Sequence, residues 1–205
     1  MLLSVHLALQ ALGFSETSDT ELVDLYLATR GERYFAELYR RYSTRVYGKC
    51  LTMLNDSHEA HDAVQEVFER VLLRVGSFKR NASFSTWLFA ITNNHCIDRL
   101  RKRNRARAKL SSVPVEDVEL GAEVDEGPDW LEEQSPAAIR HILAELGELD
   151  RAALVLMYMD DLSVREIAAT LQLGESATKM RLKRARARAR KIYDLWRVRS
   201  QFAAA

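Results

Sequence analysis

The sequence predicts an all-α fold: two small helical domains joined by a flexible acidic linker, the C-terminal one containing a helix-turn-helix. Three observations predict it. Apolar residues recur at three-four spacing on both sides of the chain's middle, no alternating strand pattern stands out, and the three prolines gather in one place. Pro114, Pro128 and Pro136 all lie between residues 110 and 140, with Gly121 and Gly127 among them. Proline removes a backbone donor and glycine adds chain entropy, so this stretch suits neither helix nor sheet. Two dozen structureless residues are unusual inside one compact domain, which favours a tether between two.

The bulk numbers agree with a folded protein. A hydrophobic fraction of 47% beside 29% charged residues supports a core and argues against wholesale disorder. The net charge of +1 conceals a segregation of sign. Arg99 to Lys109 carries seven basic residues and no acid, Leu110 to Gln134 nine acids and no base, and Lys179 to Lys191 eight bases and no acid. Local field governs partner choice more than the sum does. Cys50 and Cys96, the only cysteines, suggest neither a disulfide scaffold nor a complete zinc site. The opening MLLSVHLALQALGF lacks the basic leader and small-residue cleavage site of a signal peptide, and no apolar run reaches the ~18–20 residues of a membrane span. A soluble, cytoplasmic protein without membrane insertion is expected.

Taken in order, Phe35, Leu38, Tyr39, Tyr42, Val46 and Cys50 mark one face of a first long helix, which Asn55-Asp56-Ser57 interrupts. Asp56 with Glu59 three residues on is a capping-box start for the next. Its core set is Ala60, Ala63, Val64, Val67, Phe68, Val71, Leu72 and Val75, and Gly76 ends it. A third helix is predicted from about Ser85 to Arg103, with Leu88, Ile91, Ile97 and Leu100 inward. Beyond the linker, Ile139, Leu143 and Leu146 give a short helix and Arg151 to Asp160 another.

The stretch LSVREIAATLQLGESATKMRLKRARARAR follows. Ile167, Ala168 and Leu171 form a small apolar face, a tight turn passes through Leu173-Gly174, and a long basic helix begins near Ser176. Two helices joined by a short glycine-containing turn form a helix-turn-helix, whose second helix enters the major groove. Ordinary solvated helices mix signs; this one repels itself, which a polyanion would relieve. Ala177, Arg181, Leu182, Ala185 and Ala189 recur at spacing suited to packing inward, with Arg181 bonding a phosphate from the edge. Ser176, Lys179, Met180, Lys183 and Arg184 are left facing the groove, where lysine or arginine can read guanine and serine suits a phosphate.

Other candidates are weaker. Phe84, Trp87, Leu88, Phe89 and Ile91 all suit a core. Phe84 and Trp87 also adjoin a polar loop, Lys79 to Ser83, and an aromatic surface flanked by cations can capture unstacked bases. His58 and His61 share a helix face without third and fourth ligands at recognisable spacing, so no metal and no cofactor is expected. Adjacent Asp160 and Asp161 point in different directions on a helix, which makes paired acid catalysis a poor reading. No nucleophile–base set or phosphate-binding glycine loop occurs, so an enzyme is not expected.

Assembled, these residues resemble the extracytoplasmic function (ECF) group of bacterial RNA polymerase sigma factors. FAELYRRYSTRVYG, DAVQEVFERVL, FSTWLFAI followed by IDRLRKR, and VREIAATLQLGESATKMRLKRARARAR stand in the family's order from about Asp19 to Trp196. The resemblance implies an extension at 1–18, a domain at 19–109 that binds core RNA polymerase and the promoter minus-ten element, a linker at 110–135, and a domain at 136–205 for the minus-thirty-five element. It implies core-polymerase contacts at Asp62, Gln65, Glu66 and Glu69, with Phe68 supporting the helix. It assigns capture of a flipped base to Lys79, Arg80, Asn81, Ala82 and Ser83, with Phe84 and Trp87 beneath, and places Asn93, Asn94 and Arg101 toward the upstream duplex. A pocket offsets the few kcal/mol of base extrusion by stacking and edge hydrogen bonds. An anti-sigma factor is the further partner it implies. The acidic linker either threads through polymerase as a nucleic-acid mimic or is a self-repelling tether.

Four positions depart from the family's pattern: Thr178 and Met180 are atypical, and two more lie in the turn. Gln172 occupies the turn position where the family usually has glycine, and Gly174 stands where a serine cap is common, which leaves Ser176 as the expected cap. The rival reading from another class is a polymerase-independent helix-turn-helix regulator that binds duplex DNA as a dimer; a metal-dependent hydrolase using His58 and His61 is the third.

Overall fold

A computed structural model describes residues 14, 16–110, 131 and 134–203, and the extension and linker expected at 1–18 and 110–135 fall largely outside them. The described residues form eight α-helices and one 3-10 turn, with no strand among them. The helices are α1 (Asp19–Thr29), α2 (Glu32–Leu54), α3 (Ser57–Arg74), α4 (Phe84–Leu110), α5 (Pro136–Glu145), α6 (Glu148–Tyr158), α7 (Val164–Leu171) and α8 (Glu175–Ala203). The chain divides into two compact units, Met1–Leu51 with Asp56–His95, and Thr52–Asn55 with Cys96–Ala205. The division falls inside α4.

In the first unit, Ser18 and Glu21 close a capping box at the start of α1. Arg41 on α2 ties that helix down: it bonds the Asp19 carboxylate at 2.9 Å and the Phe14 carbonyl at 2.5 Å, while the Tyr42 hydroxyl donates to Asp19. Burial, with the Asp19 hydrogen bond, pushes the Tyr42 hydroxyl up to about 12. Asp56 caps α3 by accepting from the Glu59 N–H at 2.9 Å. The core set of α3 is buried as expected except Leu72, which is 41% exposed. At about 100° per residue Leu72 lies at the outermost edge of that set, beyond the reach of the packed face. The helix stops at Arg74 and a 3-10 turn, Val75–Ser77, carries the chain on.

In the second unit, α5 starts on a Ser135 cap with proline in its first turn. The buried Arg151 of α6 donates to the carbonyls of Leu143 and Leu146 at 3.0 and 3.2 Å, satisfying the end of α5. Helix α6 ends at Tyr158, short of the predicted Asp160, and Asp161 sits in a left-handed turn at φ 51°. Ser163 and Glu166 form a capping box for α7, and the Ser163 hydrogen bonds hold the Glu166 carboxyl below its ordinary range.

Candidate polymerase and nucleic-acid interface

Helix α3 packs its small and branched residues inward and leaves an outward stripe. Asp62, Gln65 and Glu69 are exposed and Glu66 is half-exposed, its carboxylate 3.5 Å from the Nε2 of buried His95. Phe68 is buried against Tyr39 (ring centroids 4.6 Å) and Phe35 (6.3 Å), so it braces the helix from within. Leu73, which sequence reasoning missed, is 84% exposed. It stands seven residues after Glu66 and four after Glu69, the spacing that puts it on the same stripe. The signal was in that register; its apolar chemistry hid it.

The loop from Lys79 to Ser83 is exposed along its length. Arg80 holds a left-handed conformation, φ 58°, and its guanidinium meets the Asp24 carboxylate. Ser83 starts α4: its hydroxyl accepts from the Thr86 N–H at 3.1 Å and lies 2.8 Å from the hydroxyls of both Ser85 and Thr86. Beneath the loop is a ring cluster. Phe84 packs against Tyr42, Phe78 and Trp87 at 5.6 to 5.8 Å, and Phe78 meets Trp87 at 5.5 Å. Phe84 is only 1% exposed, so it supports the loop and offers no face of its own, whereas Trp87 is half-buried and keeps an accessible surface. Phe78 had no place among the sequence candidates.

Asn93 and Asn94 separate as neighbours on a helix must: Asn93 is buried and Asn94 is exposed. Only Asn94 presents its side chain outward. Arg101 is mostly covered; it lies 3.9 Å from the Asp98 carboxylate and donates to the Leu171 carbonyl within the second unit.

The helix-turn-helix is α7 and α8. Gln172 takes the left-handed conformation, φ 48°, and its N–H bonds the Ala169 carbonyl at 3.2 Å while the Leu173 N–H reaches Ala168 at 2.9 Å. This is the paired closure of a helix end that glycine normally supplies. Helix α8 begins at Glu175, so the cap position belongs to Gly174, and Ser176 stands inside the first turn. The Thr178 side chain and N–H both bond the Gly174 carbonyl, at 3.0 and 2.9 Å. Thr178 is fully buried and Ala177 exposed, a shift of one residue from the predicted inward set; Leu182, Ala185 and Ala189 are buried as expected. Ser176, Lys179, Met180 and Lys183 are exposed and Arg184 is half-buried on the adjoining arc. Arg181 turns back to the Asp150 carboxylate at 2.8 Å.

Among the described residues no group of three or more His, Cys, Asp or Glu side chains could hold a metal ion, and His61 stacks against Tyr47 at 4.5 Å. No helix among them is long and apolar enough to cross a membrane.

A helix-turn-helix with a cationic outer arc, on the same chain as a helical unit carrying an exposed loop over an aromatic cluster, is the arrangement of a DNA-binding protein, and two family matches give its class as sigma-70. The profile of Sigma-70 region 2 matches residues 38–106 and that of Sigma-70, region 4 matches residues 137–188. The chain belongs to the ECF RNA polymerase sigma factors. It is 34% identical over 182 residues to ECF RNA polymerase sigma factor SigM of Mycobacterium tuberculosis, covering 87% of each chain. It is 33% identical over 165 residues to ECF RNA polymerase sigma factor SigW of Bacillus subtilis, covering 77% of this chain and 87% of that one. In fold it is similar to the sigma factor RpoE of Bartonella quintana, solved in complex with the anti-sigma factor NepR (TM-score 0.52, 21% identity, 78% of this chain and 96% of that one).

Proposed function

We propose that this chain is an alternative sigma factor that binds core RNA polymerase and directs promoter recognition, melting and transcription initiation, with its surfaces divided between three tasks. The acidic stripe of α3, Asp62, Gln65, Glu66 and Glu69, meets polymerase. The loop Lys79–Ser83 and the accessible side of Trp87 take an unstacked base of the minus-ten element, and Asn94 faces the adjoining duplex. The outer arc of α8, Ser176, Lys179, Met180, Lys183 and Arg184, meets the minus-thirty-five element.

The observation that carries this reading is the contrast around α8: one arc is buried on Thr178, Leu182, Ala185 and Ala189, and the opposite arc displays cations. A helix so divided lays its charged side along phosphates and base edges. For Arg101 to reach DNA it must leave the Leu171 carbonyl, and Phe84 and Asn93 contribute from within the fold. The proposed division gives 19–109 the polymerase and minus-ten tasks and 136–205 the minus-thirty-five task, whereas the compact units divide inside α4, between His95 and Cys96. An anti-sigma factor is proposed as the antagonist, in keeping with the complex formed by RpoE. The acidic segment within 110–135 belongs to the same proposal as a polymerase-threading mimic; neutralising its nine acids is expected to change the ratio of abortive to full-length transcripts, and an unchanged ratio favours the simple tether.

The test is promoter opening. Permanganate reactivity of minus-ten thymines, with polymerase carrying this chain, is expected to fall when Lys79–Ser83 is replaced by a glycine-serine loop of equal length. Equal reactivity would remove the loop from the mechanism.

A further inference from the structure

We propose that Asp150 is a positioning residue for promoter reading: with Tyr158 of the same helix it fixes the rotation of α8 about its own axis, and so determines which side chains face DNA. This deepens the minus-thirty-five reading and rests on it.

Over its first four turns the face that α8 buries is smooth: Thr178, Ala185 and Ala189 are fully buried small side chains and Leu182 is the one large knob among them, with Ile192 and Trp196 further along the same face only half-buried. Small residues interdigitate weakly, so such a seam holds a helix close without strongly resisting a roll. Directional polar contacts supply the missing restraint at both edges of the seam. On one edge Arg181 Nη1 donates to Asp150 Oδ1 at 2.8 Å and Arg188 donates to Oδ2 of the same carboxylate. Arg181 and Arg188 are seven residues apart and lie almost on one line along the helix. On the other edge, about 140° around, Arg186 Nε donates to the Tyr158 hydroxyl at 2.9 Å and Arg186 Nη2 reaches Met157 Sδ at 3.3 Å. Asp150 and Tyr158 are the first and last turns of α6, so one rigid rod holds both edges.

Asp150 is 4% exposed, and a carboxylate that deep in a protein needs cationic or hydrogen-bond partners to stay charged. Two guanidinium groups and a place in the first turn of α6 provide them. The same pairing holds Arg181 and Arg188 back from phosphates. With the clamp intact, Lys179, Met180, Lys183 and Arg184 form the outward arc; released, α8 rolls and two more cations reach the backbone.

The signature is therefore a loss of discrimination without a loss of DNA contact. A promoter obtained by selection from a library is transcribed by core polymerase with the full chain, once intact and once with its minus-thirty-five element scrambled. Wild type is expected to favour the intact promoter, and Asp150→Asn to lower that preference at least fivefold while transcription from the scrambled promoter is maintained or raised. Tyr158→Phe removes a single hydroxyl and is expected to lower the preference in the same direction by a smaller factor. A fall of both transcripts in parallel, or an unchanged ratio in both variants, overturns the clamp and leaves minus-thirty-five reading standing. Should Asp150→Asn fail to fold, Tyr158→Phe decides alone: a wild-type ratio overturns the proposal. A wild-type ratio of one overturns the minus-thirty-five reading itself, and the clamp with it.

Discussion

Replacing Lys179 and Lys183 together by alanine tests the DNA face of α8 quantitatively. Both side chains are exposed on the arc opposite the buried seam, so their removal costs little packing. Each cation that meets one phosphate adds about 0.9 to the steepness with which log affinity falls against log salt. Two such contacts contribute about 1.8, so between roughly 50 and 200 mM salt they account for about one decade of affinity. The assay measures competitor-resistant complexes of polymerase, the chain and a promoter fragment across a potassium chloride series. Contacts made by polymerase are common to wild type and variant, and they cancel in the difference of slopes. The double variant is expected to give a flatter slope by about 1.8 and its largest deficit at the lowest salt. Equal slopes and equal affinities at every salt concentration would refute the orientation of α8 deduced from burial.

Glu37 is 8% exposed and accepts from Arg40 at 2.7 and 2.8 Å and from Arg41 at 2.8 Å. The Arg40 hydrogen bond chiefly, joined by Arg41, outweighs burial and holds its carboxyl down to about 2, against an ordinary 4.5. A folded value below the unfolded one means stability present above pH 4.5 and lost as pH falls toward 2. Glu37→Gln is expected to cost about 1–2 kcal/mol at neutral pH, discounted because Arg40 is 72% exposed, and the gap in urea titrations should close near pH 2; a gap independent of pH would contradict it. Gln172→Gly, at φ 48°, should raise the thermal midpoint by relieving up to about 1 kcal/mol of left-handed strain, partly offset by glycine's freedom in the unfolded chain. Phe84→Ala should destabilise by about 3 kcal/mol or more, as core truncations do, whereas Trp87→Ala should weaken promoter opening at a smaller cost in stability, read by permanganate reactivity beside thermal denaturation.

The helices were legible because their periodicity and caps are local. Asp56 caps α3 and the apolar run behind it is buried, as spacing alone required. What was not legible depended on packing between elements. Leu72 fits the inward spacing of α3, yet it is 41% exposed, because it lies at the edge of the face that neighbouring helices cover. Phe84 and Trp87 share a composition-level description and differ only in how far the Tyr42 and Phe78 rings cover them. Only the first inward residue of α8 differed: Thr178 and not Ala177 is buried, in helical register with Leu182, Ala185 and Ala189, and its hydroxyl donates to the Gly174 carbonyl. Spacing put Arg181 at the inward edge of α8, but only the fold shows that its partner there is Asp150, 31 residues away, in place of a phosphate.

The claim that most needs testing is that this chain gives polymerase its promoter choice. Run-off transcription by bacterial core polymerase on a promoter library, with and without the chain and with start sites sequenced, tests it directly. The expected result is a set of discrete starts that appear only with the chain and share two elements at a fixed separation. Transcripts identical with and without it, or tight dimeric binding of the chain to promoter fragments in the absence of polymerase, would contradict it.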